Sequence, residues 1–417
     1  METSSPAPPL PEQPGEPPPT PAELAAAGVF LTGPMRAYRC NLKGCCCSEW
    51  QIHFRGDDIV RLAEYLPPAE LPAAVGDGLI VVLDEERQRL DHFELALRGE
   101  EQLCRFLGTD GGCTLQQRFG VASLPSICVD FPVACWRIAG RVELGFVTLC
   151  PGVLDAIFAS PEPTCIERVT ELDEMFLRRL ERVDEAGAME IGGVEIAAAE
   201  LLWLRDEILR GLEDVQRPAL EQLQAIGYGL AAVIRTGDPR AFELRYDQPA
   251  EPFARFFGHA LASHDSRYLA ELARRYGRFV FEPELQALLQ PSTGLEEALE
   301  RWPEGLVLFV EPAEEPLRPF LNRFLAHRYF NCLGRFVGEA TVSFGRVTHV
   351  VATALRFAAA FCWIGRRPLD APTLKLALGV ASFCYHNALP MPEAAPWFVP
   401  EHFAGAEPPP PQWCEGS

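Results

Sequence analysis

Apolar residues recur at helical spacing through the second half of the chain. In AAAELLWLRDEILRGLEDVQRPALEQLQAIGYGLAAVIRTG (197–237) the pattern predicts two helices parted near Pro218, because proline breaks a helix interior. The stretch CIERVTELDEMFLRRLERVDE (165–185) adds charge pairs four residues apart and is expected to be helical as well. More helical pattern follows at 251–275, 283–290, 317–336, 341–365 and 371–388. Upstream of about 166 the texture differs. Glycine and proline interrupt the pattern, and alternating patches such as GLIVVLDE (78–85) and RVELGFVTL (141–149) predict short strands. DDIVRLAEYL (57–66) predicts a short helix with an acidic first turn. No repeat of fixed period is visible.

These patterns predict a mainly α fold. An irregular, cysteine-rich N-terminal metal-cluster domain with short strands occupies 29–165, and an α-helical domain occupies 166–403. Residues 1–28 and 404–417 are rich in proline, with too little apolar content to offset the entropy of ordering, and are expected to be disordered tails.

Charge and composition narrow the function classes. The 417 residues carry a formal net charge of −21. A polyanion is a poor partner for nucleic acid, whose affinity comes from Lys and Arg neutralising phosphates. It suits basic proteins or cationic small molecules instead. The N-terminus shows neither a basic n-region nor an apolar h-region, so a cytoplasmic location is expected. The longest apolar stretch, VTHVVATALRFAAAFCWIG (347–365), carries His349 and Arg356 mid-span. An arginine there is costly in lipid, so a buried helix is expected and no membrane span.

The cysteines are the chemistry-bearing feature. Nine of fourteen lie between 40 and 150, and CNLKGCCCSEW (40–50) holds Cys40, Cys45, Cys46 and Cys47. A reducing compartment disfavours disulfides, and adjacent cysteines are poor disulfide partners. Crowded thiolates repel unless a cation compensates them, and as soft ligands they select zinc, Cu(I) and iron–sulfur clusters. Consecutive cysteines cannot all face one ion in regular backbone, so Cys45–Cys47 is expected in a loop that Gly44 helps to turn. A second group follows: Cys104 and Cys113 bracket a Gly-rich turn, and Cys128, Cys135 and Cys150 come next. The candidate metal ligands are Cys40, Cys45, Cys46, Cys47, Cys104, Cys113, Cys128 and Cys150. Cys165, Cys332, Cys362, Cys384 and Cys414 read as ordinary thiols, and Cys135 can be read either way. The spacing is not that of a simple zinc ribbon, which needs two C-x2-C pairs.

The segments YRCNLKGCCCSEWQI, CRFL, GGCTL, SICVDFP and LCPG resemble the cysteine-cluster proteins of the YkgJ type. They are more similar still to the flagellin lysine-N-methylase family. The family's CC-x-x-W segment corresponds to Cys46, Cys47 and Trp50, its Cys-x-x-[FY]-Pro segment to Cys128, Phe131 and Pro132, and its Cys-Pro to Cys150 and Pro151. In the second half, FLNRFLAHRYF and FCYHNAL resemble its last helices, so the likeness spans roughly residues 35 to 390. One feature departs from the family pattern: Cys45 abuts Cys46, where the family leaves a few residues between.

The resemblance implies a helical protein with a thiolate-bound iron–sulfur cluster of 4Fe–4S type, zinc being the other candidate. It implies S-adenosylmethionine as methyl donor, and as partner a protein substrate with exposed lysines, flagellin or another basic segment. No glycine-rich nucleotide turn follows a strand, so the methyltransferase reading comes from the resemblance alone. Trp50 or Tyr329 could offer an aromatic face to the sulfonium. Asn322, Arg323, His386 and Asn387 are candidate polar contacts, each also readable as a helix-face or capping residue. No catalytic residue is assigned. The rival expectation is a cysteine-cluster protein that binds or senses zinc or iron and methylates nothing.

Overall fold

The computed structural model describes residues 20–40, 52–54, 56–70, 79–84, 89–95, 103–110, 112–161, 164–185, 189–277, 280, 282–335 and 338–387. Within these, only the backbone is described for 52–54, 79–84, 89–95, 334–335, 338–342 and 386–387.

Five strands form the main sheet: β1 (Val29–Thr32), β5 (Val133–Ile138), β6 (Arg141–Phe146), β7 (Ile166–Val169) and β8 (Asp184–Glu185), in the order β7-β1-β6-β5-β8. β5 and β6 make a tight hairpin whose two turn residues, Ala139 and Gly140, both have positive φ (47° and 76°). That turn matches the strands' own twist. β1 then runs parallel to β6, with Phe30 opposite Glu143. Two small sheets complete the strands. One joins β2 (Ile52–Phe54), β4 (Arg89–Leu95) and β3 (Leu79–Asp84). The other joins β10 (Val194–Ile196), β9 (Met189–Ile191) and β11 (Gly338–Glu339).

The rest is mostly helix. In chain order the helices that matter here are α1 (Pro21–Ala27), α2 (Gly56–Tyr65), α3 (Thr114–Phe119), α4 (Ser126–Asp130) and α5 (Pro151–Ala159). Then come α6 (Glu174–Arg179), α7 (Ala198–Leu212), α8 (Ala219–Thr236), α9 (Ala250–Ala262) and α10 (Ser266–Tyr276). The last are α11 (Leu295–Glu300), α12 (Glu314–Arg335), α13 (Ala340–Gly365) and α14 (Ala371–Asn387). The expected break at Pro218 is present, with Pro218 as the N-cap of α8. The 251–275 pattern divides into two helices because the Asp265 carboxylate accepts from the Arg267 and Tyr268 N–H groups and starts a new one.

Helix α13 contains the long apolar stretch and packs on α9, α11, α12 and α14. Its 343–365 portion is long and apolar enough to cross a membrane, yet 83% of its most apolar window is buried inside the protein. Arg356 explains how an arginine fits there. It donates to Leu261 O, His264 O, Leu299 O and Ser266 Oγ. The three carbonyls lie at or just beyond the C-terminal ends of α9 and α11, where the helix leaves them unpaired, and the hydroxyl belongs to the first residue of α10.

Three expectations need correction. Residues 20–28 are ordered: Thr20 and Glu23 form a capping box, Pro21 fits the first turn, and Leu24 and Ala25 are buried. Residues 1–19 and 404–417 lie outside the described residues. The 165–185 stretch is not one helix. Its first residues form β7, which pairs with β1, and only Glu174–Arg179 is helical, capped by Asp173. Finally, the core does not divide at 166. One apolar cluster runs from Leu24 through β1, β5 and β6 to Tyr385.

Buried polar contacts stitch the sheet to the helices. Glu143 on β6 is fully buried and takes two hydrogen bonds from Arg205 of α7 (2.7 and 2.6 Å) and one from Trp136 Nε1 (2.8 Å). Beyond β6, helix α12 holds the chain end to end. Asn331 accepts from Phe146 N (2.8 Å) and donates to Phe146 O (3.0 Å), as a neighbouring strand would. His327 bonds the same carbonyl through Nε2 (2.7 Å) and Thr32 Oγ1 through Nδ1 (3.0 Å). Burial pushes this imidazole down to about 4, so it is neutral and donates from Nε2.

Candidate metal centre

The expected ligands fall into three sets. Cys45, Cys46 and Cys47, with Trp50, lie outside the described residues. Cys104, Cys113 and Cys128 share a small apolar cluster with Leu62, Leu66, Phe106, Leu115, Leu124 and Val129. Cys150 sits apart, in the main core, and Cys40 is exposed two residues beyond Tyr38.

The Cys104–Cys113 loop closes tightly. Leu107 bridges Cys113, Thr114 N donates to Phe106 O (2.8 Å), and Gly108 N donates to Gly112 O (2.7 Å). Asp110 fixes the turn by accepting from Gly112 N (3.0 Å) and Gln117 Nε2 (2.9 Å), and the Gln117 bond leads in holding its carboxyl below the usual range. Phe106 N points at Cys104 Sγ (3.4 Å). Cys113 is the N-cap of α3.

Cys128 lies in the single-turn helix α4. That helix is placed by Asp58 of α2, which is fully buried and accepts from both Ser126 N (2.8 Å) and Ser126 Oγ (2.7 Å). Arginines of α6 and the turn after it add to the clamp. Arg178 donates to Val121 O and Leu124 O, and Arg182 donates to Ser126 Oγ and pairs with Asp130. The acidic first turn of α2 therefore serves a helix 68 residues away, not only its own dipole.

Cys150 is the N-cap of α5, and its Sγ lies 3.7 Å from Tyr38 Oη. Gly152 lets the two segments meet: a Cβ there would stand 3.4 Å from the Tyr38 ring, 3.6 Å from Arg39 O and 3.7 Å from Cys150 Sγ. Cys40 follows Arg39 directly, so the chain passes Cys150 as it enters the 41–50 run. After that run, β2 packs against α4, which carries Cys128. The described residues on either side of that run thus lie by Cys150 and by Cys128 respectively. Cys128 and Cys150 also sit near one end of the β5–β6 hairpin, where Val147 N donates to Pro132 O (2.8 Å).

Among the described residues no three His, Cys, Asp or Glu side chains are arranged to hold a metal. The donor type suits a soft metal, but the described thiols do not close a site by themselves. None of Cys40, Cys104, Cys113, Cys128 and Cys150 lacks a partner. Cys135, Cys332, Cys362 and Cys384 are buried thiols, as expected for the last three and as one of two readings for Cys135. Burial pushes Cys135 and Cys362 up to about 12, which keeps them inert.

The expected donor-binding residues do not form an open site. Tyr329 is 1% exposed, its hydroxyl has no hydrogen-bond partner among the described residues, and burial pushes its deprotonation well up. Asn322 is fully buried and spends its amide on Asp214 O (3.3 Å) and Arg217 O (3.2 Å), tying the α7–α8 turn to α12. Arg323 donates to Ile157 O at 3.0 Å. The side chains of His386 and Asn387 lie outside the described residues. A cleft of about 700 Å³ does open beside Tyr38, Arg39 and Gly152, with Arg36, Asp155 and Glu167 on its walls. Sequence reasoning missed it, since it forms where a one-turn helix (Gly33–Ala37) meets α5.

No protein-family model matches the chain, and no curated protein or solved structure matches it either.

Proposed function

We propose that this chain is a cysteine-cluster protein that binds a soft metal, an iron–sulfur cluster in the first instance, between the Cys40/Cys150 and Cys104/Cys113/Cys128 neighbourhoods. The observation that carries the reading is that the described residues before the Cys45–Cys47 segment lie by Cys150 and those after it lie by the helix bearing Cys128. A bound metal would compensate crowded thiolates and fix the irregular part of the chain. Cys113 and Cys150 at helix N-caps, Cys104 before a tight Gly-containing turn and Cys128 in a single helical turn each sit where the chain changes direction, which suits ligands brought together from separate segments.

The resemblance to lysine N-methylases extends this to methyl transfer from S-adenosylmethionine to a protein lysine. The cleft beside Tyr38 supports the extension. Its size falls in the range of small-molecule sites, and its Asp155 and Glu167 carboxylates, now paired with Lys375 (2.7 Å) and Arg36 (3.6 Å), would have to be shared with a sulfonium or a lysine. Tyr329 and Asn322 are then structural. The non-catalytic alternative draws on the same thiols and is favoured by the burial of those two residues.

Anaerobic purification with iron, sulfide and zinc analysis tests the metal. The expected result is a coloured protein with iron and sulfide in equal amounts, lost in Cys104→Ser with Cys128→Ser. Colourless protein holding stoichiometric zinc would replace the cluster, and metal-free, fully folded protein would end the proposal. Calorimetry with S-adenosylmethionine then separates the two functions. Binding weakened by Asp155→Asn with Glu167→Gln supports the methylase. No heat at millimolar ligand leaves the cysteine-cluster protein alone.

A further inference from the structure

Five large apolar side chains are conspicuously exposed among the described residues, and of these only Val307 and Leu308 are neighbours in sequence. They are 59% and 58% exposed. Both sit in a π-helical turn, Leu306–Val310, where Glu311 N donates to Leu306 O across five residues. Such turns are rare and are frequently found at functional sites.

The turn is rigidly held. Val310 is buried, Phe309 meets the Trp363 ring at 6.3 Å, and Phe309 O accepts from Leu369 N (3.1 Å). Gly305 lets the turn lie against α13: a Cβ there would come within 2.8 Å of Ala359 O. A wider turn held in this way pushes two aliphatic side chains into water, although burying them elsewhere would be favourable. Together they form a small contiguous aliphatic knuckle on a fixed turn, which is the kind of feature a partner's apolar face can cover.

The surroundings define the partner's charge. Residues 295–318 hold seven glutamates against Arg301 and Arg318. Exposed Glu296, Glu297, Glu300, Glu304, Glu311 and Glu315 flank the turn in sequence, and Arg366 is a further cation stacked on Trp363 (4.6 Å). Both arginines are engaged locally, Arg301 by Glu297 and Glu304 and by Trp363, and Arg318 by Glu314. We propose that the Val307–Leu308 knuckle and its acidic rim form a docking surface for a basic amphipathic segment of another protein, apolar on one face and rich in lysine or arginine on the other. The aliphatic pair would contact the partner's apolar face, and the glutamates would steer its cations. An acidic rim disfavours an anionic membrane surface and a second copy of this chain, which carries the same rim.

The test uses the full-length protein and an 18-residue peptide of leucine and lysine patterned as an amphipathic helix, followed by fluorescence anisotropy. Binding should fall at least tenfold in the Val307→Ser/Leu308→Ser variant, whose changes are solvent-exposed and leave the net charge unaltered. It should weaken between 50 and 300 mM salt, and less steeply in Glu300→Gln/Glu304→Gln/Glu311→Gln. A matched leucine–glutamate peptide should not bind. The proposal is overturned if the serine variant binds as tightly as wild type, which would mean simple attraction between polyions. It is also overturned if the glutamate peptide or lipid vesicles bind equally well, or if the patch mediates dimerisation that the serine variant abolishes. The glutamine variant reads out the same proposal independently should the serine variant misfold. None of this depends on what the cysteines hold.

Discussion

Replacing Arg205 by methionine is the sharpest test of how sheet and helices are coupled. Arg205 and Glu143 are both completely buried, and the guanidinium grips both carboxylate oxygens at 2.6–2.7 Å while stacking 4.7 Å from the Phe330 ring centre. The substitution leaves the Glu143 charge with Trp136 Nε1 and an Arg141 contact at 2.8 Å. Removing one partner of a buried pair costs about 3–5 kcal/mol, because the remaining Arg141 contact, itself partly open to water, compensates the buried carboxylate only in part. Unfolding entropy near 2.1 cal/mol/K per residue gives about 0.9 kcal/mol/K for a chain of this length, so the melting temperature should drop by about 3–6 °C. Circular dichroism at 222 nm, which follows the helices, should report the loss even though Glu143 lies on a strand. The double variant Arg205→Met/Glu143→Gln should recover at least 1 kcal/mol, since a neutral amide can still accept from Trp136. A melting point within 1 °C of wild type for Arg205→Met, or a double variant less stable than the single, would refute the reasoning.

Three other outcomes are expected. Burial holds His264, His327 and His349 at about 4, against 6.5 when unfolded. Between those values the unfolded chain binds more protons, so stability is intact above pH 6.5, falls as pH drops towards 4 and is fully lost below it, by roughly 3 kcal/mol per histidine; denaturant midpoints across pH 4–7 check this, and His327→Gln should remove about a third of the slope. Gly145→Ala should destabilise by about 1–3 kcal/mol, because a Cβ would lie 2.1 Å from Asn331 Oδ1 and 2.2 Å from the Trp136 ring, and only a thermal melt equal to wild type would contradict it. Asp58→Ala removes the acceptor for Ser126 and should cost about 1–3 kcal/mol, with new proteolytic cuts near 121–130 as its signature; a cleavage map identical to wild type would argue against the clamp.

Helices were readable in advance at Ala198–Leu212, where one face packs and the other is partly open, and at Ala219–Thr236, where a proline start and a glycine end bound a long apolar run that is buried on all sides from 222 to 233. β5 was not, since VACWRI is buried nearly throughout and shows no alternation to read. β7 looked helical because Ile166 and Val169 stand three apart, a spacing that pairing with β1 overrides. The cysteine crowding was visible in the chain. Which thiols share surroundings was not, because Cys128 depends on Asp58 and Cys150 on Tyr38, contacts spanning 68 and 112 residues. The change of texture near 166 marks no boundary of the main core, since β7 and β8 lie beyond it and one apolar cluster runs across it; the long helices begin only at Ala198.

The grip of α12 on Phe146 has a consequence for synthesis. The peptide group that ends β6 is completed by side chains made 181 and 185 residues later. At about 5–20 residues per second on the ribosome, that delay is roughly ten to forty seconds. Through most of that interval the cysteines up to Cys150 have been made while the sheet still lacks the helix that secures it. The strand end at Phe146 therefore waits, during synthesis, for a partner that the finished fold supplies from far along the chain.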